Sequence, residues 1–240
     1  MSSYKIVPSK RKLVFPENDN IPDHMPKLPS RGLFICASGG GKTSVIASLL
    51  RDEQFGFKQA FRGNIFLMSS TASLHDPAWD GVTLKEENVW DDYREDIIQE
   101  IIDDQEAIIK DKGGKDKKVP HVLIVLDDLL TSIPTSRQSS LVKLFTSGRH
   151  RLCSIWITTQ VARAIPRGIR LNTSFQIIFR VNNLERMVLS EEQQIDSDSF
   201  LRLYEEAVSE PYSFLFINND KQVDERYYKR FEEQLSVEYA

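Results

Sequence analysis

Gly32-Leu-Phe-Ile-Cys36-Ala37-Ser38-Gly39-Gly40-Gly41-Lys42-Thr43-Ser44 decides how the rest of the chain is read. An apolar run of strand type meets a loop of three consecutive glycines that closes on Lys-Thr. A glycine-free apolar segment over 44–50 then reads as the start of a helix. This strand–loop–helix succession is the setting in which a phosphate-binding loop works. Glycines lacking Cβ let backbone N–H groups close around phosphate oxygens, and the helix N-terminus adds the positive end of its dipole. In such a loop Ser38, Gly39, Gly40, Gly41, Lys42, Thr43 and Ser44 bind nucleotide. Lys42 reaches the β- and γ-phosphates, and the Thr43 hydroxyl ligates Mg2+. The pattern G-x-x-x-x-G-K-[ST] has glycine where this chain has Cys36, on the strand side of the loop, so altered packing is expected there and intact phosphate contacts beyond it.

A length of 240 residues, 40% hydrophobic and 28% charged, suits one sizeable globular core. No apolar run approaches the ~20 residues of a membrane span. The basic start of the chain lacks the hydrophobic core of a signal peptide, so the protein is expected to be neither secreted nor transmembrane. Cys36 and Cys153 both fall in strand-like apolar runs and read as buried free thiols of a reducing compartment, not a disulfide or metal framework. The net charge of −4 hides an uneven distribution. Residues 86–106 hold ten acidic residues and one basic, whereas 129–184 hold no Asp or Glu but contain Arg137, Lys143, Arg149, Arg151, Arg163, Arg167, Arg170 and Arg180. An electropositive face or seam is therefore expected despite the acidic total.

Residues 1–30 are polar and punctuated by five prolines, with Lys10-Arg11-Lys12 near the start; they read as an extended arm ahead of a single domain over 31–240. The domain then alternates. Strand-like runs are expected at 32–36, 63–71, 120–128, 152–160, 174–180 and 212–218, and helices at 42–51, 89–110, 141–147, 184–208 and 221–237. The 89–110 segment carries isoleucines at helical spacing and acids on its other face. Strands nearly continuous in Val, Ile, Leu and Phe, separated by helices, imply an α/β fold whose mainly parallel sheet is covered by helices on both faces.

Function in such a sheet gathers at the carboxyl ends of the strands. The run Val122-Leu-Ile-Val-Leu126 ends in Asp127-Asp128, a Walker B pattern. Asp127 would hold Mg2+ through its water shell, opposite Thr43, and Asp128 would act as the general base that orients the attacking water. A further run ends in Thr158-Thr159-Gln160, where Gln160 is within the reach of a γ-phosphate sensor.

These residues carry a family resemblance. The chain resembles the viral genome-packaging ATPases of the FtsK–HerA superfamily, the poxvirus-type packaging motors of large DNA viruses and virophages. The segments concerned are Ser38-Gly39-Gly40-Gly41-Lys42-Thr43, Phe66-Leu-Met-Ser-Ser-Thr71 with Asp76-Pro-Ala-Trp79, and Leu126-Asp127-Asp128-Leu129. They continue through Gly148-Arg149-His150-Arg151, Ile155-Trp-Ile-Thr-Thr-Gln160 and Arg170-Leu-Asn172. The likeness spans 28–218. It implies a P-loop NTPase domain of the RecA/ASCE-like kind that binds ATP and Mg2+ and hydrolyses ATP. It also implies a homo-oligomeric ring of five or six subunits that drives double-stranded DNA into a capsid vertex, in the host cytoplasm or viral factory and transiently at the virion. Gln160 is then the polar sensor, and Arg149 or Arg170 an arginine finger reaching a neighbouring subunit's nucleotide. Asp128 stands where many members of the wider superfamily have Glu. Charge alone nominates Arg163, Arg167 and the loop lysines Lys115, Lys117 and Lys118 for DNA phosphate. Two other classes share the motif: a small-molecule or nucleoside kinase, and a nucleotide-binding switch or assembly scaffold with little turnover. The absence of an L-S-G-G-Q segment argues against an ABC ATPase.

Overall fold

In the computed structural model, residues 20–71, 76–111, 119–129 and 139–237 are described. The chain runs β1 (Arg31–Ile35), α1 (Lys42–Arg51), α2 (Phe57–Phe61), β2 (Ile65–Ser69), β3 (Val89–Trp90), α3 (Glu95–Asp111), β4 (Val122–Asp127) and α4 (Ser139–Ser147). It continues with β5 (Cys153–Thr159), α5 (Arg167–Arg170), β6 (Phe175–Ile178), α6 (Asn183–Ser190), α7 (Ser197–Ala207), β7 (Leu215–Asn218), β8 (Tyr227–Lys229) and β9 (Glu233–Gln234). One sheet has the order β3-β2-β4-β5-β1-β6-β7-β8-β9. Its first six strands are parallel, and β7, β8 and β9 continue it antiparallel.

The continuous apolar strands are buried on both faces because alternate residues feed two separate cores. Leu33, Ile124, Leu126, Ile155 and Ile157 face the side covered by α3 to α7. Phe34, Leu123, Val125 and Trp156 face the side covered by α1 and α2. Trp156 lies edge-on to Phe57, Phe61 and Phe175 at centroid distances of 5.2, 6.1 and 5.8 Å, a geometry that aromatic quadrupoles favour. Gly32 makes room for this cluster: a Cβ there would lie 2.3 Å from the Phe175 ring. Met25 joins the same core, and the Ser30 hydroxyl accepts a 2.9 Å bond from the Trp156 indole, so the segment over 20–30 packs on the domain. Residues 1–19, with Lys10-Arg11-Lys12, lie outside the described residues.

Three expected helices differ. Val89 and Trp90 form a short strand on β2 before α3 begins, and Trp90 stacks on Phe66 at 6.4 Å. The 184–208 segment is two helices, because Asp196 caps a new N-terminus by accepting from the Ser199 N–H at 2.8 Å. The 221–237 segment is no α-helix. The neighbouring Tyr227 and Tyr228 are both buried, one in each core, which only the two-residue period of a strand allows. Among the described residues, no helix is long and apolar enough to cross a membrane.

Candidate nucleotide site

The loop between β1 and α1 takes its shape from its glycines. Gly39 and Gly41 have φ of 71° and 101°, in the left-handed region that side chains disfavour, and Gly40 N–H closes a turn on the Ala37 carbonyl at 3.2 Å. Gly41 caps α1 without a side-chain bond to the first helical N–H groups, so those donors stay available to an anion. Lys42 is nearly buried and reaches back to the carbonyls of Cys36 (2.9 Å) and Ala37 (3.3 Å). Cys36 packs its thiol against the loop. A Cβ on Gly40 would sit 2.0 Å from the Cys36 sulfur, so the cysteine on the strand side makes glycine obligatory at 40. Burial pushes the Cys36 thiol up, against the pull of the Lys42 charge, and both cysteines are buried and free.

Parallel pairing brings the strand ends level. Ser69 on β2 stands opposite Asp127 on β4, and one step beyond the Leu126–Ile157 pair Asp127 meets Thr158 on β5. Both Asp127 oxygens are held there. Oδ1 accepts from Thr158 Oγ1 at 2.8 Å, and Oδ2 accepts from Thr43 Oγ1 at 3.0 Å and from Ser69 Oγ at 3.4 Å. Burial is the main reason that the Asp127 carboxyl titrates above the usual range; bonds from Thr158 and Thr43 oppose it, and the Asp128 charge adds to it. Thr158 Oγ1 also accepts the Asp128 N–H at 2.8 Å. That bond helps to hold Asp128 at φ 56°, a turn out of the strand line that carries its side chain into the cavity over the loop. Gln160 Nε2 donates to Asp128 Oδ2 at 2.7 Å.

The cavity, about 510 Å³, is lined by the loop residues 38–45, by Ser69, Asp76, Asp127 and Asp128, and by Phe179 and Tyr212. Thr43 Oγ1 and Asp127 Oδ2 are hard oxygen donors. They stand 3.0 Å apart, and hard oxygens of this kind suit Mg2+, with Thr43 as a ligand and Asp127 reached through the ion's water shell.

The arginines lie elsewhere. Arg149 is exposed and precedes β5, at the end of the sheet opposite the loop, where its charge acts on Arg31 and Asp220. Arg170 is buried. Its Nε donates to Glu192 Oε2 at 2.9 Å, Nη2 bonds Glu192 Oε1, and Nη1 donates to the carbonyls of Ala162 and Ile165. Arg163 is paired with buried Glu185 at 2.8 Å, while Arg167, 74% exposed, lies 3.9 Å from Glu192. Arg151 bonds Glu106 of α3. Arg151, Arg163, Arg167 and Arg170 of the expected electropositive seam thus meet acids contributed from outside the acid-free span. Lys115, Lys117, Lys118 and Arg137 lie outside the described residues.

Sequence reasoning gave no role to Ser69, Thr158, Phe179 or Tyr212. Ser69 and Thr158 had a signal, since both sit at the polar tips of apolar strands and only the register between them was missing. Tyr212 had none, because its position depends on the direction of β7.

The profile of a family described as "Poxvirus A32 protein" matches residues 22–225. An uncharacterized protein, 075L of Invertebrate iridescent virus 6, is 28% identical over 144 residues, 59% of this chain; the match spans 54% of that relative, about half of its length. The genome packaging NTPase B204 of Sulfolobus turreted icosahedral virus 2, in complex with ATP-gammaS, superposes with a TM-score of 0.53 at 11% identity, covering 81% of this chain and 94% of that one. EssC (ATPases 2 and 3) from Geobacillus thermodenitrificans gives 0.54 at 14% identity, covering 79% and 37%. At these identities the structural likenesses establish a shared fold.

Proposed function

The chain belongs to the Poxvirus A32 protein family, and on that premise we propose that it is a Mg2+-dependent ATPase that drives double-stranded DNA into a viral capsid. The observation that carries the hydrolytic part is the meeting of Thr43, Asp127, Thr158, Asp128 and Gln160 in one chain of hydrogen bonds. The loop N–H groups and Lys42 bind the phosphates and balance their charge. Thr43 and, through water, Asp127 would hold Mg2+, which would offset phosphate charge. Asp128, turned into the cavity, orients a water and accepts its proton. Gln160 fixes that carboxylate's direction, which supports its reading as the γ-phosphate sensor. An acceptor other than water would need its own polar pocket in the same cavity.

Arg149 supports the inter-subunit part of the reading. The length of β5 separates it from its own loop by roughly 20 Å, so an active role in ATP hydrolysis requires a neighbour's nucleotide. The guanidinium of Arg170 is engaged by Glu192 and two carbonyls, which favours Arg149 as the trans-acting finger. A ring of five or six subunits docked at a capsid vertex, working in the host cytoplasm or viral factory, follows from the same reading. Arg167, with its exposed side chain, is the described candidate for the DNA backbone. The test is phosphate release from ATP with and without duplex DNA, beside Lys42→Ala. Release stimulated by DNA and abolished in the variant is expected; transfer to a small acceptor, or binding without release, would overturn the proposal. Mixing Arg149→Ala with Asp128→Asn subunits should restore part of the turnover that each lacks alone. A mixture that stays inactive where mixed rings demonstrably form would remove Arg149 from this role.

A further inference from the structure

The loop between α7 and β7 brings an aromatic ring to the nucleotide cavity. Because β7 runs antiparallel to β6, with Ile178 opposite Leu215, it starts at the end of the sheet where the parallel strands finish. The turn before it therefore lies beside the phosphate loop. Tyr212 is 75% exposed, and its Cδ1 would be 3.9 Å from a Cβ on Gly41. Among the described lining residues Phe179 is the other aromatic, but it is buried against Phe214 at 5.1 Å, so of these two Tyr212 offers the open ring face.

The backbone supplies a second, independent observation. Ser213 N–H bonds the Glu210 carbonyl at 3.2 Å, closing a turn with Pro211 first and Tyr212 second among its central residues. Tyr212 has φ 59° there, a conformation that turns of this kind reserve for glycine or asparagine. Glycine would adopt this conformation without strain. A bulky residue held in a disfavoured conformation, with its ring in solvent beside a ligand cavity, points to work done by the ring. The turn is also braced: Glu210 accepts from Lys229 Nζ at 2.7 Å and Arg230 Nη2 at 3.0 Å, and Arg230 N–H bonds the Phe214 carbonyl at 2.9 Å.

We propose that Tyr212 is the platform on which the base of a bound nucleoside triphosphate stacks, with purines favoured by their larger π surface. This rests on the loop being a phosphate site. Stacking on one aromatic ring is sequence-tolerant and large enough to shift affinity by about tenfold or more, so the platform supplies affinity while the phosphate loop supplies charge recognition.

The experiment is calorimetric titration of the full chain with Mg-ATP and, separately, with Mg-tripolyphosphate, which has the phosphates and no base. Tyr212→Ala should weaken ATP about tenfold and leave tripolyphosphate unchanged, and Tyr212→Trp should restore ATP. Tyr212→Gly should also weaken ATP while its thermal midpoint stays level or rises, because glycine relieves the backbone; this separates lost stacking from misfolding. Lys42→Ala should weaken both ligands. If Tyr212→Ala and Tyr212→Gly bind ATP like the wild type while Lys42→Ala has lost both ligands, the platform is refuted and the phosphate site stands. If Lys42→Ala binds both like the wild type, the phosphate site falls and the platform with it.

Discussion

Replacing Arg170 with alanine separates a fold-holding arginine from a catalytic one. The guanidinium is buried against Glu192, itself buried, and closes the two carbonyls of Ala162 and Ile165. Removing it leaves a desolvated carboxylate without its nearest cation and takes the Arg170 donor from the Ile165 carbonyl, while the Ala162 carbonyl keeps the Ile165 N–H at 3.0 Å. Loss of one member of a buried pair costs roughly 3–5 kcal/mol, a large share of the 5–15 kcal/mol typical of a whole domain. At roughly 2–4 °C per kcal/mol for a domain of this size, the thermal midpoint should fall by about 10 °C or more. Urea unfolding followed by tryptophan fluorescence, with Trp156 at the centre of one core, reads the same loss as a lower midpoint at unchanged slope. Arg170→Met combined with Glu192→Leu should lose less than the two single changes summed, because the second removes the stranded carboxylate. An Arg170→Ala protein with a wild-type midpoint, no turnover, and activity restored by mixing with Asp128→Asn subunits would refute the argument and make Arg170 the finger.

Thr158→Val keeps volume but strips the bond to Asp127 Oδ1 and the acceptor of Asp128 N–H, so turnover should fall about a hundredfold while ATP affinity measured by titration changes little. Gly40→Ala should abolish ATP binding because the new Cβ meets the Cys36 sulfur at 2.0 Å; placed on a Cys36→Gly background it should recover much of that binding, and an additive double-mutant cycle would refute the contact. The Glu210 carboxyl sits below the usual 4.5, first through its bond from Lys229 and then through the charges of Lys229 and Arg230. A depressed carboxyl stabilises above its unfolded value and loses that contribution as pH falls through its folded value. The gap in thermal midpoint between wild type and Glu210→Gln should therefore be present at neutral pH and close as pH drops below 4.5, and it should shrink in about 1 M salt.

The loop and strand-tip geometry of the candidate site was legible because its signals are local. A glycine loop between an apolar strand and a helix needs only neighbours in sequence to be recognised, and an apolar run ending in Asp127-Asp128 carries its own direction. The helix expected at 221–237 failed for the opposite reason. Its mix of charge and aromatic residues fits a helical surface, and only pairing with β7 reveals that Tyr227 and Tyr228 must face opposite ways. Arg170 and Arg149 looked alike as candidates, since a sequence shows charge without its partner. Burial against Glu192 distinguishes the first, and the amino end of β5 the second.

By itself, the sequence determined an α/β chain built around a phosphate loop with a carboxylate-tipped strand opposite, because the backbone freedom of glycine and the burial of continuous apolar strands are properties of short stretches. Tertiary structure alone decided which charges remain free and which ring reaches the cavity. Arg151, Arg163 and Arg170 come from a span without acids, yet Glu106, Glu185 and Glu192 meet them from α3, α6 and the segment after α6, since Coulomb attraction depends on distance in space and not along the chain. Tyr212 reaches the loop for an equally spatial reason: one antiparallel strand at the flank of a parallel sheet brings its leading turn to the end where the parallel strands stop.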